Sequence, residues 1–216
     1  MSDIMQSALI LFLIFAVLFA IIAVLWRLGS RRQSLPCPVW LRWLVELDNP
    51  FTRTNRAAFI IENLQLEEGM TILDAGCGPG RLTIPIAEKI GSKGRVIAMD
   101  IQEGMLARTK IKAEAAGLKN IEYLHAGLGT GQLGQNRFDK ALMVTVLGEI
   151  PDQKKGILEL FDSLNPGGIL SITEVIFDPH FQTRSNVLSL AVEVGFTEAA
   201  FFGNKIAYVL HLQKPH

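Results

Sequence analysis

Asp74, Gly76, Gly78 and Gly80 fall close together in Ile72-Leu-Asp-Ala-Gly-Cys-Gly-Pro-Gly80. Glycines let a backbone turn sharply and let a ligand come up against it. A dinucleotide fingerprint spaces them G-x-G-x-x-G and lays a pyrophosphate on a helix N-terminus. Here the spacing is G-x-G-x-G, with the small Cys77 between the first two, and an acid stands two residues before the first glycine. A carboxylate at that place repels a pyrophosphate and suits a cationic amino-acid end. The segment therefore favours a cofactor carrying an ammonium and a sulfonium. Farther along, Asp100 closes the apolar run Val96-Ile-Ala-Met99. An acid at the tip of a second strand can accept both hydroxyls of a ribose, and Ile101 beside it can pack on an adenine face.

The elements that must position these residues alternate. Apolar runs over Met70–Ala75, Arg95–Ile101, Ile121–Ala126, Phe138–Val146 and Gly168–Ile176 read as strands. Helical patterns over 55–64, Pro79–Ile90, Gln102–Ala116, Asp152–Ser163 and Ser185–Val194 separate them, with Gly91, Gly117 and Gly195 as stops. This alternation predicts an α/β domain, a Rossmann-like seven-stranded sheet, mostly parallel, with helices on both faces. Phe196–Phe202 and Ala207–Gln213 are joined through Gly203-Asn-Lys205, too short for a parallel crossover, so the last strand should run antiparallel. Ligands of such sheets sit outside the carboxyl ends of the strands, which is where Asp74, the glycines and Asp100 fall.

With Phe138-Asp139 opening the fourth strand and Leu164-Asn-Pro-Gly-Gly168 preceding the fifth, residues 70–213 resemble the class I S-adenosylmethionine-dependent methyltransferases. The likeness is to the broad group that includes the ubiquinone/menaquinone-biosynthesis enzymes. The resemblance implies S-adenosyl-L-methionine as cofactor, with Asp74 and Gly76 facing its methionine part and Asp100 its ribose. Relatives usually carry an Asp after the third strand that bonds the adenine amino group. This chain has Gly127 there, followed by Leu128, so adenine must be held by backbone or stacking around 126–128. The stretch Gly127-Leu-Gly-Thr-Gly-Gln-Leu-Gly134 imitates a dinucleotide fingerprint, but no helix opens after it; it reads as a flexible loop.

Methyl transfer from a sulfonium is an in-line displacement served by positioning and by excluding water. A base is needed only where the nucleophile must lose a proton. Glu149, in Leu147-Gly-Glu-Ile-Pro151, is a candidate to orient or deprotonate an acceptor, against the plainer role of a carboxylate at a helix start. Asp178 and His180 are candidates for an acid/base pair, against a turn built on Asp-Pro. His125 belongs to core or rim.

The charges balance at 21 basic and 21 acidic residues, which lacks the basic excess expected of a nucleic-acid binder. Cys37 and Cys77 form neither a disulfide framework nor a zinc spacing. Cys77 fits as a small packed residue, and Cys37 as a palmitoylation candidate or a plain linker residue.

Residues 4–26 carry no charged side chain. As a helix they reach about 34 Å, enough for a hydrocarbon core of about 30 Å. Trp26 suits an interface, and Arg27, Arg31 and Arg32 follow it while Asp3 precedes. The bias predicts an uncleaved single-pass anchor with the body on the cytoplasmic side. The expected organisation is an anchor over 1–29, a juxtamembrane connector over 30–50 and a methyltransferase domain over 51–216. Within the connector, Val39–Val45 suits a short interfacial helix, or Trp40 and Trp43 pack on the domain. The leading expectation is methylation of a small, lipophilic acceptor (a quinone precursor, lipid or thiol). The alternatives are a membrane-tethered binding or scaffold protein and, with less support from the glycine spacing, an NAD-dependent oxidoreductase.

Overall fold

The computed structural model describes residues 2–33, 46, 48 and 52–216. The expected interfacial helix at 39–45, Trp40, Trp43 and Cys37 lie outside the described residues.

The chain begins with helix α1 (Ser2–Gln33). The apolar side chains described on it, among them Leu9, Phe12, Phe15 and Ile22, are exposed. Among the described residues no helix is long and apolar enough to cross a membrane. The fold thus lends the expected transmembrane anchor no support of its own.

After a 3-10 turn at Arg53–Asn55 and helix α2 (Ala57–Asn63) comes the alternating body. It comprises β1 (Thr71–Ala75), α3 (Thr83–Ile90), β2 (Arg95–Asp100), α4 (Glu103–Ala115), β3 (Ile121–His125) and β4 (Phe138–Val144). A 3-10 turn at Leu147–Glu149 precedes α5 (Gln153–Ser163), β5 (Leu164–Val175), α6 (Arg184–Val194), β6 (Thr197–Gly203) and β7 (Ala207–Gln213). The seven strands lie in the order β3-β2-β1-β4-β5-β7-β6. Every pairing from β3 to β5 is parallel, while β7 runs antiparallel to both β5 and β6.

Burial explains the pattern. The central strands β1 and β2 carry almost unbroken apolar runs because helices cover both of their faces. The edge strand β3 is largely exposed and alternates less cleanly. One core layer joins Leu73, Ile97, Met143, Leu160 and Leu170 beneath α5 and α6. The other joins Ile72, Val96, Leu142 and Val209 with α2 and α3. Caps fall where the residue types allow. Asp152 accepts the Lys155 amide at 3.0 Å before α5, and Thr183 accepts that of Asn186 at 3.3 Å before α6.

Two expected boundaries shift by four residues. Helix α3 begins at Thr83 rather than Pro79, because Gly80 sits at φ +80° and a left-handed residue cannot belong to a right-handed helix. Strand β5 begins at Leu164 rather than Gly168, pairing with Phe138 across an irregular register before regular pairing resumes at Ile169. The order of the sheet reverses between β1 and β4. That switch point opens a crevice at the carboxyl ends of the strands.

Candidate functional site

At the end of β1 the chain turns through Gly76, Gly78 and Gly80, at φ +75°, +53° and +80°. The amides of Gly76 and Cys77 both donate to the Met99 carbonyl, at 2.8 and 2.9 Å, and so fasten the turn to β2. A Cβ at Gly76 would lie 2.4 Å from Val146 Cγ2, and one at Gly80 would lie 2.8 Å from Thr109 Cγ2. No side chain fits at either place. Thr109 also donates its hydroxyl to the Gly78 carbonyl at 2.9 Å, holding the turn against α4. The Cys77 thiol packs under the turn with Ala98 and Leu106, and burial pushes its pKa up. Cys77 supports the turn from beneath; a buried thiol kept protonated is a weak nucleophile.

Asp74 is 3% exposed and accepts the Thr83 hydroxyl at 2.6 Å. This bond ties the first residue of α3 to the last turn of β1. Burial raises the Asp74 pKa to about 6; Thr83 and Arg81 oppose the rise and Asp100 adds to it. Arg81, next to the last glycine, donates to Asp48 Oδ1 at 2.9 Å and to the Asn55 carbonyl at 2.7 Å. Asp74 is therefore a carboxylate short of positive charge, and a cation placed beside it would favour its ionised form.

Asp100 is spread between two amides: Gly78 donates to Oδ2 and Gln102 to Oδ1, each at 2.8 Å. Burial raises its pKa against both bonds. Each carboxylate oxygen retains acceptor capacity, enough for the two hydroxyls of a ribose. Beyond it, Ile101 is 60% exposed, an apolar shelf at the lip of the crevice. A Cβ on Gly127 would lie 3.5 Å from Ile101 Cδ1, so Gly127 faces that shelf. The His125 ring nitrogen Nε2 lies 2.9 Å from the Ile101 carbonyl and joins the tips of β2 and β3. Leu128 is half-buried against the core. Glycines that exclude Cβ atoms, two buried acids with raised pKa values and an exposed apolar shelf fit a nucleoside bearing an ammonium and a sulfonium.

The glycine-rich loop after β3 departs from expectation. Glu159 of α5 accepts the amides of Gly129 and Leu133, and Leu133 is buried. The stretch is pinned to α5 by these bonds rather than left loose. No helix follows it before β4, so it lacks the anion site of a dinucleotide loop.

On the other side of the switch point β4 ends at Val144, Thr145 turns at φ +56°, and Val146 covers Gly76. The 3-10 turn that follows carries Glu149, which is half-exposed. A Cβ on Gly148 would lie 2.0 Å from the His180 carbonyl oxygen, so this turn rests directly on the segment after β5. The sequence candidates Glu149 and His180 are thus brought onto neighbouring turns. The segment forms the turn on Asp-Pro that stood against the acid/base pair. Asp178 Oδ1 accepts the His180 amide at 2.6 Å, while the His180 ring, 4% exposed, stands 3.9 Å from the same oxygen.

The sequence reading gave no role to Glu174. It is 1% exposed at the end of β5; Oε2 accepts the Gln182 amide at 2.9 Å, and Oε1 has no hydrogen-bond partner. Burial raises its pKa to about 8, and the nearby Asp178 and Glu149 add to the rise. An acid one residue before the end of a buried strand was the available signal. Gly148, Ile150, His180, Gln182 and Thr183 line a cleft of about 520 Å³ beside it.

A family model described as a methyltransferase domain matches residues 66–206. Demethylmenaquinone methyltransferase of Listeria welshimeri is 32% identical over 108 residues, covering 50% of this chain and 46% of that protein. The chain thus spans about half the length of the curated relatives it matches. A SAM-dependent methyltransferase from Aquifex aeolicus shares the fold with TM-score 0.73 at 22% identity, over 83% of this chain and 100% of the other. Magnesium protoporphyrin IX methyltransferase from Synechocystis, solved with bound SAM, gives TM-score 0.59 at 23% identity, over 73% of this chain and 76% of the other.

Proposed function

This chain belongs to the methyltransferase domain family, with S-adenosylmethionine as its cofactor, and on that premise we propose that it methylates a small, lipophilic acceptor beside a membrane. The observation that carries the methyl-transfer reading is the pairing of Asp100 with the Gly78 amide inside a turn that admits no side chain. That arrangement gives a nucleoside two acceptor oxygens on one side and bare backbone on the other.

Bound S-adenosylmethionine supplies an electrophilic methyl group. This chain's own residues then do the positioning. Asp74 favours the cationic amino-acid end through its field, and Asp100 fixes the ribose. Ile101, Gly127 and Leu128 form the shelf for adenine. Val146 packs on Gly76, two residues before Gly148, which lines the cleft together with His180. In this reading the cleft would hold the acceptor beside the bound methyl donor, and the surrounding turns would keep water out. Glu149, at the cleft's edge, orients the acceptor or takes its proton where it has one to lose.

The lipophilic character of the acceptor is supported by the uncharged run 4–26 and by the likeness to demethylmenaquinone methyltransferases. In this reading residues 1–29 anchor the protein in a membrane, 30–50 connect, and 51–216 work on the cytoplasmic face, where arginines follow the anchor.

The test uses membranes containing the full chain and methyl-labelled S-adenosylmethionine. Label should enter the organic-soluble fraction, and Asp100→Ala should weaken cofactor binding about 10- to 100-fold, the loss of one or two charge-assisted bonds. Titration in which NADH binds tightly and S-adenosylmethionine does not would overturn the reading. Label found only in protein would overturn the acceptor class. Release of the chain from membranes by carbonate washing would overturn the anchor.

A further inference from the structure

Gln182 is gripped at three polar groups. Its amide donates to Glu174 Oε2 at 2.9 Å, its carbonyl accepts the Tyr208 hydroxyl at 2.8 Å, and its Nε2 donates to the His180 carbonyl at 2.8 Å. Two of the three partners are one cross-strand pair, since Glu174 of β5 lies opposite Tyr208 of β7 in the antiparallel ladder. The segment they hold, residues 176–183, belongs to no helix or strand. It nonetheless supplies His180, Phe181, Gln182 and Thr183 to the cleft, and its His180 carbonyl meets Gly148 on the opposite wall.

A buried carboxyl with one oxygen unpaired is a poor choice for stability, because burying an unsatisfied polar group costs free energy that an apolar residue would not. Glu174 also sits among like charges. Asp178 and His180 lie on the segment it holds, Glu149 on the facing turn, Tyr208 on β7, and Arg184 of α6 acts on Tyr208. With two acids nearby and almost no solvent, the proton stays on Glu174 through neutral pH. A neutral carboxyl can accept from the Gln182 amide without setting a third negative charge beside the cleft.

We infer that Glu174 is the positioning residue of the acceptor cleft, acting through Gln182: with Tyr208 it clamps the 176–183 strap into the shape that presents His180 and Gln182 to the acceptor. The inference rests on the reading of this cleft as the acceptor site. A clamp made of a titratable acid has a consequence that a purely apolar one lacks. Removing its proton puts a carboxylate against Asp178 and Glu149, and the strap loosens as pH rises through about 8.

Hydrogen exchange at the Gln182 amide in the full-length chain, corrected for intrinsic rates, reads the clamp directly. Protection should fall at least tenfold between pH 6.5 and pH 9 in the wild type. In Glu174→Gln, whose side-chain carbonyl still accepts from that amide, protection should not vary with pH. In Glu174→Leu it should be low at both values, with S-adenosylmethionine affinity within twofold of wild type throughout. Transfer of labelled methyl to a membrane lipid extract should show a rise of about tenfold in the apparent KM for the extract in Glu174→Leu, restored in Glu174→Gln at pH 7. Full protection in Glu174→Leu, or a pH response in Glu174→Gln equal to wild type, overturns the clamp. A strap that loosens while the apparent KM stays at wild type overturns the assignment of the cleft to the acceptor and leaves the cofactor reading intact.

Discussion

The two halves of the crevice are built on opposite plans. On the cofactor side the ligand surface is mostly backbone. Gly76, Gly78 and Gly80 wind through left-handed conformations, and their amides and carbonyls are fixed by Met99, Asp100 and Thr109. On the side proposed for the acceptor the surface is side chains carried by two irregular turns, held by a buried acid, a tyrosine and a glutamine. A backbone cradle with little freedom suits a single ligand that never changes. Turns whose shape depends on a few polar contacts can be altered without disturbing the sheet, which suits acceptors that differ among members of one fold.

Alanine at one glycine on each side gives the largest separation between the halves. Gly76→Ala places a methyl 2.4 Å from Val146 Cγ2 on a left-handed backbone, and cofactor affinity should fall more than about 100-fold by calorimetry. Gly148→Ala drives a methyl 2.0 Å from the His180 carbonyl. It should abolish labelled methyl transfer while S-adenosylmethionine still binds within about threefold of wild type. If Gly148→Ala also lost the cofactor, the two halves would be one cooperative unit and the contrast would fail.

A pH series on cofactor binding tests the charge balance of the first half. Asp74, with its pKa raised to about 6, should be ionised at pH 7.5 and largely neutral at pH 5. Affinity for the cationic cofactor should therefore fall about tenfold between those values, and Asp74→Asn should flatten the curve. Stability of the ligand-free protein moves the other way. A carboxyl raised from 3.8 to about 6 favours the folded state most fully below pH 3.8, and that contribution is lost as pH rises through 6. Thermal melts of wild type and Asp74→Asn in the absence of cofactor would register the difference.

The smallest expected effect concerns the adenine shelf. Gly127 has an ordinary backbone, and its added Cβ would make only a van der Waals contact with Ile101 at 3.5 Å. Gly127→Asp should be tolerated and should tighten cofactor binding about fivefold, the worth of one added hydrogen bond of about 1 kcal/mol. Equal or weaker binding would mean that adenine does not lie over Ile101 and Gly127.

The same contrast governs how much was readable in the chain itself. The placement of Asp74, the glycines and Asp100 at the ends of β1 and β2 was legible because it depends on position in a strand-turn-helix unit. The alternation of strands and helices was legible because apolar periodicity reports burial directly. The pairing of Asp178 with the His180 amide was not, since an Asp two residues before a histidine reads equally well as turn closure or as ring orientation. The boundary of α3 was missed for a local reason: Pro79 permits a helix start, and only the φ of Gly80 forbids it. The loop at 127–134 read as loose because Glu159, its partner through two amides, lies on the next helix beyond an intervening strand.

The sequence by itself determined the α/β order, the antiparallel closing strand, the cofactor turn and the uncharged run at the N-terminus, since each follows from local composition and spacing. Only the tertiary structure decided that β7 inserts between β5 and β6 and thereby sets Tyr208 opposite Glu174. It also decided that Gly148 meets His180 and that Glu174 stays buried with one oxygen unpaired. These contacts join residues far apart along the chain, and their chemistry comes from shared burial, which no single segment encodes.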